Sequence, residues 1–206
     1  MALATSAALA TPATAQVISV NAACFVNAKP SVGAPVTVSG SGFTPGDMVE
    51  VEATGVFGTT TVGAAGTFTT TVTGPILTTP FPASSRFTLT ARDETNGTTT
   101  ASTSFSVANL AVQTSPAVAK SSKTVQFSFS GFRAGALVYG HYVHGKKVVT
   151  TRFGRAGGAC GLLKSKARLF PGAPRFSKYK VQFDDSRRYR ANALPRIVSG
   201  LTIEHF

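Results

Sequence analysis

The stretch Val36–Asp47 (VTVSGSGFTPGD) decides the fold class of this chain of 206 residues. Its first half alternates valine with polar residues, which is typical of a β-strand that has one buried and one solvated face. Its second half ends in Thr44–Asp47 (TPGD), where Pro supplies a φ of about −65° and Gly the positive φ of a type II turn. A second alternation, Val49–Glu52 (VEVE), follows at once. The stretch therefore predicts two β-strands joined by a tight turn.

The same pattern recurs 89 residues further along the chain. Val36–Phe43 (VTVSGSGF) aligns with Val125–Phe132 (VQFSFSGF), and Val49–Glu52 aligns with Val138–His141 (VYGH). A diverged repeat at a constant offset indicates two copies of one structural unit. The sequence therefore predicts two modules of about 100 residues, each large enough to bury its own core.

Composition places both modules in the all-β class. The chain has no Trp, only 14% charged residues and 20 Gly, and no long helix-forming segment interrupts the short strands and turns. Asn96–Gly97 and His144–Lys147 have the composition of hairpin turns. We predict about seven strands per module and two tandem Ig-like β-sandwich modules, module one over 16–109 and module two over 110–206.

The first fifteen residues differ from the rest of the chain. They are rich in Ala, uncharged, and end in Ala13-Thr14-Ala15, the small-x-small form of a signal-peptidase site. An Ala/Thr tail is the alternative. We predict a signal peptide over 1–15, and hence an extracellular or surface-associated protein. No later apolar run reaches the roughly 20 residues of a membrane span.

Ser39–Asp47, which follows a Val-x-Val strand, resembles the repeated Ig-like modules of secreted bacterial surface proteins. That resemblance implies a β-sandwich with a binding or structural role and no chemistry of its own. The same strand–turn–strand unit is similar to the actinobacterial apo-chromoproteins of the neocarzinostatin type. This second, more distant resemblance implies a sandwich cleft that carries a small apolar molecule.

Charge divides unequally between the modules. Module two contains 17 Lys and Arg against 3 acids, net +14, whereas residues 1–109 contain 3 basic and 5 acidic residues, net −2. In Lys164–Arg168 and Lys178–Lys180 basic residues alternate with other types, which on a strand points them to one face. Module two therefore has either a solvated basic surface or a binding surface for an anionic partner.

Aromatic residues accompany the charge. Because Glu50 and Glu52 are taken as outward, the aligned Tyr139 and His141 should also point outward. Such side chains beside basic residues suit sugar rings or phosphate, although tyrosines on a sheet also pack across strands. The predicted binding residues are Tyr139, His141, Lys146, Lys147, Arg152, Arg155, Arg187, Arg188 and Arg190.

Catalytic and metal-binding patterns are sparse in this sequence. His141 and His144 are three residues apart, and on a strand this spacing sends the two side chains to opposite faces. Asp184–Asp185 is an adjacent doublet at a strand end, where a loop role is commoner than catalysis. No phosphate-binding loop is present. We expect no enzyme, metal or cofactor, while a triad assembled from distant positions stays open.

The two cysteines are the remaining feature. Cys24 falls on the first strand of module one, and Cys160 aligns with about the position of Phe68. In exported proteins two thiols are usually paired. Modules arranged end to end would hold these residues too far apart, so a bridge would require the modules to lie side by side. A Cys24–Cys160 disulfide, buried free thiols and intermolecular pairing all stay open.

These observations favour a secreted, non-enzymatic binding or structural protein. Module two would engage an anionic polymer or a surface protein of the cell envelope. The alternative is a small-molecule carrier of the chromoprotein type. Export disfavours nucleic acid as the partner.

Overall fold

The computed structural model describes residues 15–29, 31–78, 83–95, 99–172 and 177–203. Nearly all of the predicted signal peptide and the whole predicted Asn96–Gly97 turn lie outside these ranges. The described strands, in chain order, are β1 Val17–Val20, β2 Cys24–Asn27, β3 Pro35–Ser41, β4 Met48–Ala53, β5 Val56–Thr61, β6 Thr67–Thr73, β7 Ser84–Asp93, β8 Thr99–Asn109, β9 Ala111–Ser115, β10 Thr124–Ser130, β11 Leu137–His144, β12 Lys147–Arg155, β13 Leu163–Arg168, β14 Ser177–Asp184 and β15 Arg196–Ile203.

The strands form two sandwiches in tandem, which confirms the predicted fold class. In module one the sheet β1-β3-β6 packs on the sheet β2-β8-β7-β4-β5. In module two the sheet β13-β10-β9 packs on the sheet β12-β11-β14-β15. Each module has its own buried core: valines dominate the first, and the second is built around Phe127, Phe129, Phe132, Phe153 and Phe183.

The repeat seen in the sequence is a repeat of strands. β3 and β10 are the central strands of their three-stranded sheets, and their bounds differ by the same 89 residues as the sequence alignment. The predicted turn between β3 and β4 is also present. Gly46 has a φ of 86°, and the amide of Asp47 donates to the carbonyl of Thr44 at 3.2 Å. Because β3 and β4 belong to different sheets, this turn carries the chain across the sandwich.

One strand has no counterpart in the repeat. β2 runs parallel to β8, with Cys24 opposite Ser106 and Asn27 opposite Asn109. It therefore covers the edge of the larger sheet of module one. In module two the corresponding edge strand is β15, and no strand of the described residues pairs with its outer side. The two modules thus share an order of strands but differ at this edge.

Cys24 and Cys160 form a disulfide bond, with their Cα atoms 5.3 Å apart. The position expected for Cys160 was wrong: the counterpart of Phe68 is Leu163, since these residues pair with Gly40 and Phe129 at the same place in the repeat. Cys160 lies earlier, in the loop between β12 and β13.

The expectation that a bridge needs modules lying side by side was also wrong. The parallel pairing of β2 with the end of β8 carries Cys24 to the junction between the modules. The β12–β13 loop reaches the same place, because the carbonyl of Cys160 accepts from the amide of Gly131 at 2.9 Å.

Hydrogen bonds connect the two modules at their junction. The hydroxyl of Ser130 donates to the carbonyl of Asn109 at 2.6 Å, and the amide of Leu110 donates to the carbonyl of Asn27 at 3.0 Å. The core of module two draws only on residues beyond this junction. We propose Leu110 as the start of an independently folding unit.

A fragment of residues 110–206 carrying Cys160→Ser should therefore fold by itself. We expect a β-type circular-dichroism spectrum and one cooperative thermal transition, because the complete Phe-rich core lies inside the fragment. The full chain with Cys24→Ser and Cys160→Ser serves as the control. A disordered or helical spectrum of the fragment would contradict the boundary.

Candidate functional site

The outer face of the four-stranded sheet of module two carries a concentration of basic side chains. Paired residues of neighbouring strands share a face, and the register pairs Tyr139 with both Arg152 and Asp184, and Asp184 with Arg196. The loop 185–195 folds over part of this face. We define the basic face as its eight exposed cations: Arg152, Arg155, Lys178, Lys180, Arg187, Arg188, Arg190 and Arg196.

His141 is the centre of a buried polar network beneath that loop. Its imidazole has no exposed surface. Nε2 lies 3.0 Å from the carbonyl oxygen of Ser186 and 3.3 Å from Oδ1 of Asp184, and both of these groups accept, so Nε2 is the donor. Nδ1 lies 2.9 Å from the hydroxyl of Thr150 on the neighbouring strand. The histidine therefore joins two strands to the loop.

Asp184 and Gln182 extend the network. The carboxylate of Asp184, which is fully buried, accepts from the amide of Ser186 at 2.8 Å and from Nε2 of Gln182 at 2.6 Å. Nε2 of Gln182 also donates to the carbonyl of Arg190 at 2.7 Å. Main-chain atoms at both Ser186 and Arg190 are thus fixed to the sheet, and the three loop arginines project from an anchored segment.

The predicted flat patch of Tyr139 and His141 is corrected in one respect. Both side chains lie on the outward face, as the register predicted, but both are buried: Tyr139 is 9% exposed and His141 is 0% exposed, and the loop contacts His141 through the carbonyl of Ser186. The ring of Tyr189, from the loop, lies 5.7 Å from the imidazole of His141. Sequence periodicity gives the direction of a strand side chain and carries no information on a loop that folds back over it.

The predicted basic residues divide into two groups. Arg152, Arg155 and the three loop arginines belong to the basic face. Lys146 and Lys147 are exposed in the turn of the β11–β12 hairpin, roughly 25 Å from Arg155 along β12 at about 3.3 Å per residue. They lie at the end of the face that carries Lys178 and Lys180, because His144 pairs with Lys147 and its Nδ1 lies 3.4 Å from the carbonyl oxygen of Lys178.

From the sequence, Lys178 and Lys180 were recognised only as part of an alternating basic run, and Arg196 was not recognised as a binding residue. Lys178 and Lys180 flank the buried Tyr179 and point outward, as their alternation predicted. Arg196 is placed on the same face, opposite Asp184, by the pairing of β15 with β14, a long-range contact with no local sequence signal.

A second basic row lies on the opposite side of the module. Lys164, Lys166 and Arg168 are exposed on β13 and alternate with half-buried residues, which confirms their predicted common face. They pair with Ser128, Gln126 and Thr124 of β10, in the other sheet. The positive charge of module two therefore occupies two opposite faces.

The acidic side chains among the described residues of module two do not neutralise the basic face, because both have other partners. Asp184 is buried in the His141 network. Asp185 binds the exposed Arg133 at 2.5 Å, and this hydrogen bond, with the negative charge, raises the pKa of the guanidinium. Exposed arginines and lysines of the face therefore have no described carboxylate of module two free to pair with them.

The hydrogen bonds join Thr150, His141 and Asp184 in the order in which a catalytic triad joins its nucleophile, base and acid. We interpret them as a structural network, because a base without exposed atoms cannot reach a substrate. Neither of the two described cavities is lined by these residues.

The described part of the chain holds no cluster of three or more His, Cys, Asp or Glu suited to a metal ion. It also contains no helix with the length and hydrophobicity of a bilayer span.

No family model matches the chain, and no curated protein matches it. Among solved structures, it is similar to a tetra-tandem repeat from the extending region of a large adhesion protein, with 18% identity over 92% of this chain and 49% of that chain and a TM-score of 0.32. It is also similar to the Ca²⁺-stabilised adhesin with which an Antarctic bacterium binds ice, with 19% identity over 91% of this chain and 47% of that chain and a TM-score of 0.37.

A pair of tandem Ig domains of titin gives 13% identity over 91% of this chain and 95% of that chain, with a TM-score of 0.29. The chain spans about half the length of the first two structures.

Proposed function

We propose that this protein is an exported, non-enzymatic binding module whose basic face engages an anionic polymer of the cell envelope or its surroundings. The observation that carries the proposal is the gathering of eight exposed cations on one face of module two. The described acids of that module are buried or already paired. Such a face attracts polyanions at long range and retains them through charge-assisted hydrogen bonds.

The anchoring of the loop supports a site over a merely solvated surface. Long basic side chains on a mobile loop lose conformational entropy when they bind, which offsets part of the gain. Here the main chain at Ser186 and Arg190 is bonded to buried side chains of the sheet. Arg187, Arg188 and Arg190 therefore start from a fixed backbone, and arginine suits bidentate contact with carboxylates and phosphates.

The disulfide supports the proposed location. Cys24 and Cys160 are the only cysteines of the chain, and they are joined. Stable disulfides persist in oxidising compartments and are rare in the cytosol. This agrees with the export predicted from residues 1–15.

The proposal predicts that the affinity for a polyanion depends on where the positive charges lie on module two and not only on how many there are. We expect Arg187→Ala/Arg188→Ala/Arg190→Ala to weaken binding to polygalacturonate or polyphosphate roughly tenfold, at about 0.5 kcal/mol per exposed contact. The matched control is Lys164→Ala/Lys166→Ala/Arg168→Ala, which removes the same charge from the opposite face. Isothermal titration or biolayer interferometry at fixed salt compares the two variants.

A non-specific charge effect would weaken both triple variants equally, and this result would contradict the site. Binding by the native protein should also weaken as salt rises, since screening acts over about 8–10 Å at physiological ionic strength. Neutral dextran serves as the uncharged control polymer. Equal binding of dextran and polygalacturonate would also contradict the proposal.

A further inference from the structure

The free edge of β12 is a surface of module two that the proposed function leaves unused. β12 is the outermost strand of the sheet β12-β11-β14-β15, and no strand among the described residues pairs with its outer side. An edge strand of this kind presents a row of main-chain amides and carbonyls with which another strand can pair.

The register of the β11–β12 hairpin shows which residues direct their main chain outward. His144 and Lys147 close a two-residue turn, and the residues that close such a turn bond to each other. Bonded residues alternate along an antiparallel pair, so Lys147 and Val149 bond β11. Val148 and Thr150 therefore direct both their amide and their carbonyl groups away from the sheet.

The middle of this edge lacks the features that usually prevent strand pairing. Val148–Thr151 (VVTT) is an uncharged run of β-branched residues, and its two valines are each 39% exposed. The other edge strands of the module differ from β12: β13 has a cation at every second position, β9 has five residues, and β15 contains Gly200. Charges, short length and glycine all disfavour the addition of a further strand. β12 is thus the edge best suited to accept one.

Positive charge flanks the uncharged run at both ends. Lys146 and Lys147 are exposed on one side of it, and Arg152 is exposed on the other. If two copies of the chain paired antiparallel through this run, Lys147 of each copy would lie opposite Arg152 of the other, and like charges placed opposite each other destabilise a strand pair. A strand with acidic residues at these two places would be stabilised at both. The charges therefore favour an acidic strand over a second copy.

We propose that the β12 edge binds an extended acidic segment of a partner protein, which adds to the sheet as an antiparallel strand. Main-chain hydrogen bonds at Val148 and Thr150 supply the affinity, and Lys147 and Arg152 supply the selectivity, as in other cases of strand addition. This inference goes beyond the proposed function, because it assigns a peptide to a strand edge and does not require a polyanion on the outer face.

Hydrogen exchange on the full oxidised chain tests the proposal. In the free protein the amides of Val148 and Thr150 should exchange at least about tenfold faster than that of Val149, because only Val149 donates to β11. The probe is the capped peptide Glu-Thr-Val-Thr-Val-Glu, whose acidic ends lie opposite Arg152 and Lys147 in the antiparallel register. At millimolar concentration it should slow both fast amides and leave that of Val149 unchanged.

Two N-methylated forms of the peptide separate strand addition from attraction by charge alone. The third residue lies opposite Thr150, so methylation of its nitrogen removes the amide that would donate to the carbonyl of Thr150. The fourth residue lies opposite Val149 and directs its amide away from β12, so its methylation is the matched control. In NMR titrations we expect the first change to weaken binding at least about tenfold and the second to have little effect.

Variants of the protein test the same contact from the other side. Val148→Pro removes an outward amide and no bond to β11, and proline is tolerated at such edge positions, so the variant should fold and lose most of the binding. Val148→Thr keeps the amide and should bind the peptide as the native protein does. Val148→Pro should still bind polygalacturonate, so failure of this inference and failure of the proposed function are distinguishable. Circular dichroism establishes that each variant is folded.

The selectivity is tested by exchanging the charges. The native protein should prefer the Glu peptide to Lys-Thr-Val-Thr-Val-Lys by at least about tenfold, and Lys147→Glu/Arg152→Glu should reverse the preference.

Four results would overturn the proposal. The first is unchanged exchange of the Val148 and Thr150 amides in the presence of the Glu peptide. The second is equal binding of the two N-methylated peptides, which would indicate attraction by charge alone. The third is equal binding of the Glu and Lys peptides by the native protein. The fourth is a dimer of the free protein in sedimentation that Val148→Pro abolishes, which would assign the edge to a second copy.

Discussion

Reduction of the Cys24–Cys160 bond should lower the free energy of unfolding by about 5 kcal/mol. The bond closes a loop of 136 residues, and a cross-link over so long a loop removes much of the conformational entropy of the unfolded chain. The bridge joins segments already held together at the junction by main-chain hydrogen bonds. Urea denaturation of the oxidised and reduced protein, followed by circular dichroism, measures the difference.

The Cys24→Ser/Cys160→Ser variant provides the control. It should match the reduced native protein, and reducing agent should leave its transition unchanged. Each single serine variant should unfold like the double variant, because either substitution removes the bond. A loss below about 1 kcal/mol on reduction would contradict the chain-entropy account.

Asp184→Ala should lower the free energy of unfolding by about 3 kcal/mol. The substitution removes a fully buried carboxylate that accepts from His141, Gln182 and Ser186. The amide of Ser186 loses its acceptor, and a buried donor without a partner is costly. We also expect faster amide hydrogen exchange over 186–190, because the loop loses its main anchor.

The neighbouring Asp185→Ala is the matched control. It removes the same side chain one residue later; the Asp185 side chain is only 3% exposed, but its partner Arg133 is 72% exposed and is solvated by water once the carboxylate is lost, so the expected loss of stability is smaller. Hydrogen exchange in the loop should change little. If the two alanine variants behave alike, the network around His141 does not anchor the loop.

The strands of the repeat could be predicted because their signals are local. Valine alternation in β3 and β4 reports burial on one face, and the Pro45–Gly46 pair encodes the turn between them. The same reasoning predicted the outward direction of His141 and the common face of Lys164 and Lys166. These features depend only on residues within a few positions along the chain.

The remaining features depend on distant contacts. β2 is a short parallel strand whose partner lies about 80 residues later, and nothing in Cys24–Asn27 indicates that pairing. The position of Cys160 was missed because the β12–β13 loop is longer than its counterpart, which shifted the alignment. The covering of His141 depends on the loop around Ser186 folding back, which strand periodicity does not encode.

The position of the disulfide has a mechanical consequence. If the protein is pulled by its two ends, the tension passes directly from Cys24 to Cys160 through the bond. The segment between them carries none of that tension, so it cannot be drawn out by force while the bond is intact. At roughly 3.4 Å per extended residue, about 450 Å of contour length is withheld. A stretched chain would therefore keep the core strands of module one and the β10–β12 strands of module two outside the path of the load.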